Sequence, residues 1–509
     1  MGRIGAAADH DRGAGMTTPH HDRGAGMDLP SDVDVVVVGF GATGATAAIT
    51  AHDAGASVAV LEKTGSGGGN CVHSGGFLFE VGGARAVDHL DALCFGKTDR
   101  TVLEAYARGL PDVPDFLESL GASTPPVDIE AFGGMLPSWP HFPGAGHVRY
   151  RQFAALPGER PRPGLWRVLE SAVRERDIPV AYGCRAIDLV LDDGDRVTGV
   201  VCEQAGERRR IGARAGVILA SGGFEADAEL RDTYLPLPLT SVGHQGNTGD
   251  TLGLARAAGA SLWHMSAFFG WLSFVHPDFP AAFTLDVHAP SFIYLDGDGR
   301  RFADETGWEL HDAIRALTAY LPRRPNRPRM PGWIVFDETA RLAGPLHGIV
   351  GSPNDYEWSA DNAAEVQTGW IARGADTAEL AAATGLDAAV LQSTLGDYAE
   401  AVSRRRDDEF GRAPSTLAPL LPPLYAIQMT PGVATASGGP RRDAEARVLR
   451  PGGEPIPGLF AAGAAGSIWG HLTEHGGGLT DAIVFGRIAG SRCAAAPALA
   501  RAISPTNQA

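Results

Sequence analysis

Residues 32–63 read "DVDVVVVGFGATGATAAITAHDAGASVAVLEK", and this stretch decides the fold. The β-branched run from Val33 to Val38, broken only at Asp34, has the apolar character of a parallel strand buried on both faces. Gly39, Gly41 and Gly44 then complete G-x-G-x-x-G where strand passes into helix, with Ala42 and Thr43 inside the motif. The glycines serve a tight turn, close approach of the backbone to a pyrophosphate, and close packing of helix on strand. A second strand, Ser57 to Leu61, ends at Glu62, roughly twenty residues further on, where a carboxylate takes ribose hydroxyls; Lys63 follows it. Strand, glycines, helix and acid in this order predict an α/β protein with a Rossmann-like dinucleotide site.

The next stretch, "GSGGGNCVHSGG" at 65–76, chooses among dinucleotides. A nicotinamide enzyme has no need of a long Gly-rich loop just after Glu62, whereas backbone N–H groups in such a loop can wrap the middle of FAD. Bulk properties exclude other classes. The chain has 509 residues, 44% hydrophobic, with 67 glycines, enough for two or three packed domains. Its formal net charge of -17 argues against a nucleic-acid partner or an anionic membrane surface. The basic stretch "PRRPNRPR", with Arg323, Arg324, Arg327 and Arg329, reads as a solvated loop because prolines interrupt it. Cys71, Cys94, Cys184, Cys202 and Cys493 form no C-x-x-C pair. With no secretory apolar segment and no apolar run of membrane-spanning length, they lead to the expectation of a cytoplasmic protein. Residues 1–31 repeat "HDRGAGM" at 10–16 and 21–27 and are expected to be a disordered tail, while 497–509 are expected to be a C-terminal tail.

A competing motif lies late in the chain. His471, Glu474 and His475 in "HLTEH" fit the H-x-x-E-H spacing of one class of zinc peptidase. That chemistry needs both histidines on one helical face, yet Gly476, Gly477 and Gly478 follow at once. Three glycines inside a helix would cost about 1 kcal/mol each relative to alanine. The helix is therefore expected after them, from Leu479 to Ala489, with the glycines approaching a ligand at its N-terminus and no metal at the histidines.

The stretches "GFGATG", "EK" followed by "GGN" and "SGG", "VILASGGF" (217–224), "NTGDTLGLARAAGA" (247–260), "GRRFADE" (299–305), "PGLFAAG" (457–463) and "GGGLTDAIVFGRIAG" (476–490) stand in a telling order. In that order the chain resembles the flavoproteins that include soluble fumarate reductases and 3-ketosteroid dehydrogenases. The resemblance implies noncovalent FAD, since His73 is not placed as a flavin-tethering histidine would be. It implies FAD contacts from Gly68, Gly69, Asn70, Cys71, Ser74, Gly75, Gly76, Ala186, Ser221, Gly222 and Asp250. It also sets Gly463, Ala464, Gly478, Leu479 and Thr480 at the flavin ring. The FAD domain should be discontinuous, 32–245 and 425–496, around an α+β capping or substrate domain at 246–424.

The same resemblance implies chemistry at a C–C or C=C bond beside a carbonyl, with FAD taking or giving hydride and a protein group exchanging a proton. Arg341 in "GWIVFDETARLAG" matches a proton-donating arginine, and Glu305 a relay carboxylate. The pattern then departs. The relay arginine is missing from "TGWELHDA", Ala434 and Thr435 stand where a substrate-binding histidine is expected, and Thr473 replaces a clamping arginine. A dicarboxylate bound without its clamp would leave buried charge unpaired. The ketone-polarising tyrosine of ketosteroid dehydrogenases is also missing, since no tyrosine occurs between Gly466 and Ala489. His471 or His475, oriented by Glu474, is the expected substitute, because imidazole suits proton transfer near neutral pH. The aromatic run "SLWHMSAFFGWLSFVHPDFP" at 261–280 supplies core or, where it faces the flavin, a wide apolar pocket for a cyclic substrate. No second G-x-G-x-x-G opens another nucleotide domain, so electrons should pass to or from an external partner, unless the reaction is a redox-neutral isomerisation. A dicarboxylate reductase is the other alternative.

Overall fold

A computed structural model describes residues 29–129, 138–153, 164–307, 309, 311, 313–320, 329–347 and 353–503. The repeated N-terminal segment and Arg323, Arg324 and Arg327 lie outside the described residues. The sheet that carries the fingerprint runs in the order Arg447–Leu449, Pro455–Ala461, Glu207–Leu219, Asp32–Val38, Val58–Leu61, Val180–Ala181. From Pro455–Ala461 onward its neighbours are parallel, as the run of valines predicts. Val35, Val36 and Val37 are fully buried because helices cover one face and a β-hairpin layer the other. The hairpin turns around Asp193-Gly194, with Cys184–Leu191 antiparallel to Val197–Gln204.

The fingerprint helix, Ala42–Asp53, packs against the C-terminal helix, Gly477–Ile503. Ala45, Ala47, Ala48 and Gly486 allow the two axes to come close, which is why the first helix is mostly alanine, glycine and threonine rather than leucine. The C-terminal helix begins two residues before the expected Leu479 and runs beyond Ala489. Gly477 and Gly478 occupy its first turn, where backbone N–H groups have no intrahelical partner to lose, so glycine disturbs little. Gly476 stays outside at φ 76°, a left-handed turn, and its missing side chain lets the loop cross Phe77 closely.

A second, mainly antiparallel sheet is built on Leu424–Ala436, with Phe268–Phe274 on one side and Gly332–Asp337 then Phe292–Leu295 on the other. Residue 425, expected to open the returning FAD segment, thus sits at the start of the second sheet's central strand. Two helices follow in this part of the chain, Thr377–Thr384, ended by Gly385, and Ala388–Arg404. The stretch "LDGDGRRF" at 295–302 makes a tight turn. Asp296 Oδ1 accepts the backbone N–H groups of Asp298 and Arg300, and Leu295 and Arg301 form an isolated bridge. In the aromatic strand the faces alternate: Phe268, Leu272 and Phe274 enter the cap's core, while Phe269 and Trp271 turn to the cavity between the sheets.

Candidate active site

One long cavity runs from the fingerprint to the start of the C-terminal helix. Gly39, Gly41, Ala42, Thr43, Glu62, Lys63, Gly68, Gly69, Asn70, Cys71, Ser74, Gly75, Gly76, Ala186, Ser221, Gly222, Asp250, Ala464, Gly478 and Leu479 all line it. Gly44, Gly463 and Thr480 do not. Gly44 packs under the fingerprint turn, Gly463 lies against Thr43, and the Thr480 hydroxyl is 2.5 Å from the buried Tyr106 hydroxyl. The lining suits FAD on two observations of the chain itself. The fingerprint helix has no acidic residue in its first turn to oppose a diphosphate. A side chain at Gly478 would meet no protein atom within 4 Å, so its backbone opens on the cavity.

Asn70 holds the Gly-rich loop in place. Its amide nitrogen donates to Glu225 Oε1 at 2.9 Å and to the Ala434 carbonyl at 2.9 Å, while its oxygen accepts the His244 backbone N–H at 2.7 Å. Glu225 is fully buried, and burial raises its carboxyl despite donors from Asn247 and the Ala436 backbone. Glu225 and Asn247 are thus structural members of the site that sequence reading missed. At the outer rim Asp250 pairs with both Lys63 and Arg185. These are the lysine and arginine among the described lining residues, and each is already matched; Arg442, behind the wall, is paired with the lining Asp481.

The expected catalytic residues scatter. Arg341 lies outside the cavity: its guanidinium donates to Glu338 at 2.8 and 2.6 Å and to the Asp361 carbonyl at 2.5 Å. The short helix Glu338–Leu342 turns it back along its own axis, and the pairing drives Glu338 down to about 2. Glu305 is buried away from the cavity, both oxygens taken by Arg301 at 2.9 Å and one by Arg412 at 3.1 Å. It braces the cap. Residues 470–475 form no helix, so His471 and His475 share no face and the zinc geometry does not assemble. His471 packs on Phe95, outside the cavity, with burial first and then Arg315 and Lys97 pushing its imidazolium down to about 4. Glu474 touches neither histidine. Its fully buried carboxyl accepts from Tyr150 at 2.6 Å and meets His89 Nε2 at 3.0 Å.

Glu474 therefore pins the loop, and a substitution pair tests this. His89 Nδ1 must donate to the Pro143 carbonyl, 2.9 Å away, so Nε2 can donate to the carboxylate only from a doubly protonated ring and accepts when the ring is neutral. In Glu474→Gln the amide can accept from Tyr150 and donate to His89, and stability should stay within about 1 kcal/mol of the parent. Glu474→Ala strands two buried polar groups and should cost about 3–5 kcal/mol in urea unfolding. Equal stability of the two variants would contradict the pin.

His475 does reach the cavity, edge-on to Phe77 with ring centroids 4.4 Å apart. Burial, and then the nearby His311, pushes its imidazolium down to about 3, so the ring is neutral across the ordinary pH range. Beside it lies a pair the sequence reading passed over. His311 lines the cavity, stacked on Phe269 at 3.8 Å and edge-on to Trp271 at 4.5 Å, and its Nδ1 is 2.6 Å from Glu309 Oε1. The E-x-H spacing in "TGWELHDA" is the sequence signal for this pair. Among the described residues no helix is long and apolar enough to cross a membrane.

Known proteins give the arrangement its context. A probable fumarate reductase of Shewanella frigidimarina is 29% identical over 488 residues, covering 91% of this chain and 75% of that protein. A 3-oxosteroid 1-dehydrogenase of Mycolicibacterium smegmatis is 27% identical over 574 residues, covering 92% and 98%. The crystal structure of a 3-ketosteroid Δ1-dehydrogenase from Sterolibacterium denitrificans, in complex with 1,4-androstadiene-3,17-dione, superposes with a TM-score of 0.79 at 25% identity, covering 92% of this chain and all (100%) of that one. The FAD binding domain family matches residues 34–479, the span that runs from the fingerprint strand to the glycine turn, and the chain belongs to that family of FAD-dependent oxidoreductases.

Proposed function

We propose that the protein is a dehydrogenase or reductase of a C–C or C=C bond beside a carbonyl in a hydrophobic, cyclic, steroid- or polyketide-like substrate, with electrons exchanged with an external partner. The observation that carries this reading is the wall of the cavity. Phe77, Val242, Phe269 and Trp271 supply its apolar surface, and its rim cations Lys63 and Arg185 are both committed to Asp250. A flat apolar ring system finds area there, whereas a dicarboxylate finds no uncommitted cation among the described lining residues.

Bound FAD supplies the hydride acceptor or donor. The chain's own groups do the rest: Gly478 and Leu479 offer backbone N–H groups at a helix N-terminus, and the aromatic wall excludes water and orients the substrate. His475 stands as a neutral partner for the carbonyl oxygen. The test is a visible spectrum recorded anaerobically. The purified protein should be yellow, should release its flavin to the supernatant on acid precipitation, and should bleach with a saturated cyclic 3-ketone but not with succinate. Bleaching by succinate with no response to any cyclic ketone would favour the dicarboxylate reading instead.

A further inference from the structure

His311 is more enclosed than a surface histidine and less satisfied than a core one. Its side chain is 4% exposed and it faces the cavity, yet Nε2 has no hydrogen-bond partner among the described residues. A buried polar nitrogen without a partner is costly and uncommon, and one aimed into a ligand cavity has a ready occupant. The other side of the ring is fixed. Glu309 accepts from Nδ1 at 2.6 Å with one oxygen and from the His311 backbone N–H at 2.8 Å with the other. That pairing sets the tautomer, leaving the lone pair on Nε2 toward the cavity, and Phe269 and Trp271 hold the ring plane. Glu309 also lines a second cavity, with Trp139, His141 and Arg315 on its walls. The dyad thus stands between the two spaces.

We propose that His311 is the catalytic base and acid that exchanges the proton on the substrate carbon beside the carbonyl, and that Glu309 is its positioning carboxylate. The inference rests on the ketone reading above. In the forward sense the α C–H bond breaks, its electron pair stays on the substrate as an enolate shared with the carbonyl oxygen, and an Nε2–H bond forms. In the reverse sense the same nitrogen returns the proton to carbon. The step is electron-neutral and needs no oxidant. The positive charge created on His311 is balanced by Glu309, while His475, whose ring centroid is 5.2 Å away, stays neutral and adds no repulsion. The titratable groups facing the ring are Glu309, His475 and Asp286, whose carboxyl is raised by burial.

The donors of Glu309, His311 and His475 lie within 4.8 Å of one another, close enough for a cation. Both Glu309 oxygens already accept N–H groups of His311, which leaves a metal only two ring nitrogens. Metal analysis is therefore part of the test.

The experiment uses the FAD-loaded protein, with cyclohexanone in D2O under anaerobic conditions, and follows α-deuteration by NMR. His311→Asn should slow exchange about 100-fold or more with FAD content unchanged. Glu309→Gln should slow it about tenfold and move the acid limb of its pH profile to lower pH, because the charge that stabilises the protonated ring is gone. A second readout is independent of turnover: 4-chlorophenol, a planar stand-in for the enolate, should bind about tenfold more weakly to His311→Asn by calorimetry. Should that variant fold poorly, the Glu309→Gln profile decides alone. Exchange at the parental rate in His311→Asn, or an unmoved profile in Glu309→Gln, overturns the dyad while leaving the ketone reading intact. No exchange in the parent overturns both. A stoichiometric metal that is lost in His311→Asn overturns the dyad in favour of a metal centre.

Discussion

Gly44→Ala will purify largely without flavin. A Cβ at residue 44 would lie 1.9 Å from the Gly39 carbonyl oxygen and 3.4 Å from Val37 Cγ1. The first is less than any non-bonded contact permits, and the obstacle is backbone, not a side chain that could swing aside. Gly39 cannot yield easily, because its N–H donates to the Leu61 carbonyl at 2.7 Å in the middle of the parallel sheet. The helix Ala42–Asp53 must therefore lift off the strand, taking with it the first-turn N–H groups that would hold a cofactor diphosphate. Its far side is closed by the C-terminal helix, so the displacement meets a second packed surface. Overpacking of this kind costs about 1–3 kcal/mol or more, which corresponds to roughly ten- to hundredfold weaker FAD when the strain falls on the site. The flavin-to-protein absorbance ratio, followed by FAD titration of the apoprotein, measures it. Gly478→Ala is the control on steric grounds, since its added methyl meets no protein atom, and it should fold with parental stability. Full flavin content at parental affinity in Gly44→Ala would overturn the packing argument.

What could be read from the sequence was local. Strand, turn, helix and acid at the fingerprint lie within one short stretch, so spacing alone determined their arrangement. The cavity's Gly-rich lining was legible for the same reason: glycine spacing marks where backbone must come close to a ligand. Side-chain direction was not. Arg341 and Glu305 stand at suggestive positions in the chain, yet partners fixed by the cap's own folding, Glu338, Arg301 and Arg412, claim them. Glu474 sits three residues after His471 and one before His475, and is nonetheless claimed by His89 and Tyr150, which lie hundreds of residues earlier. Such long-range competition for a carboxylate leaves no mark in local spacing. His311 carries no local mark of its place, because the aromatic rings that orient it, Phe269 and Trp271, come from a distant strand.

The buried pair Arg442–Asp481 carries the second large effect, because it ties the second turn of the C-terminal helix to the segment that bridges to Val448 at the sheet edge. Arg442 Nη2 donates to Asp481 Oδ1 at 2.8 Å, Ser467 donates to the other oxygen at 2.8 Å, and the guanidinium lies 3.9 Å over the Phe485 ring. Both charged side chains are out of solvent. Removing one member leaves the other charge uncompensated, so Arg442→Met should lose about 3–5 kcal/mol in urea unfolding with saturating FAD. The pH dependence has a definite sign. Burial raises the Asp481 carboxyl above its ordinary value even with Arg442 present, and the arginine is the leading influence that lowers it. A carboxyl with a raised folded pKa favours the folded state most when protonated, and that contribution falls as pH rises from the unfolded value through the folded one. Without Arg442 the carboxyl rises further, so the loss should be smaller at pH 5, where Asp481 can take up a proton, than at pH 8. Adding Asp481→Asn to Arg442→Met should recover more than half of the loss at pH 8, since the stranded charge is gone while Ser467 keeps a partner. A double variant no more stable than Arg442→Met, or a loss independent of pH, would assign the effect to the lost packing of the guanidinium on Phe485 rather than to charge.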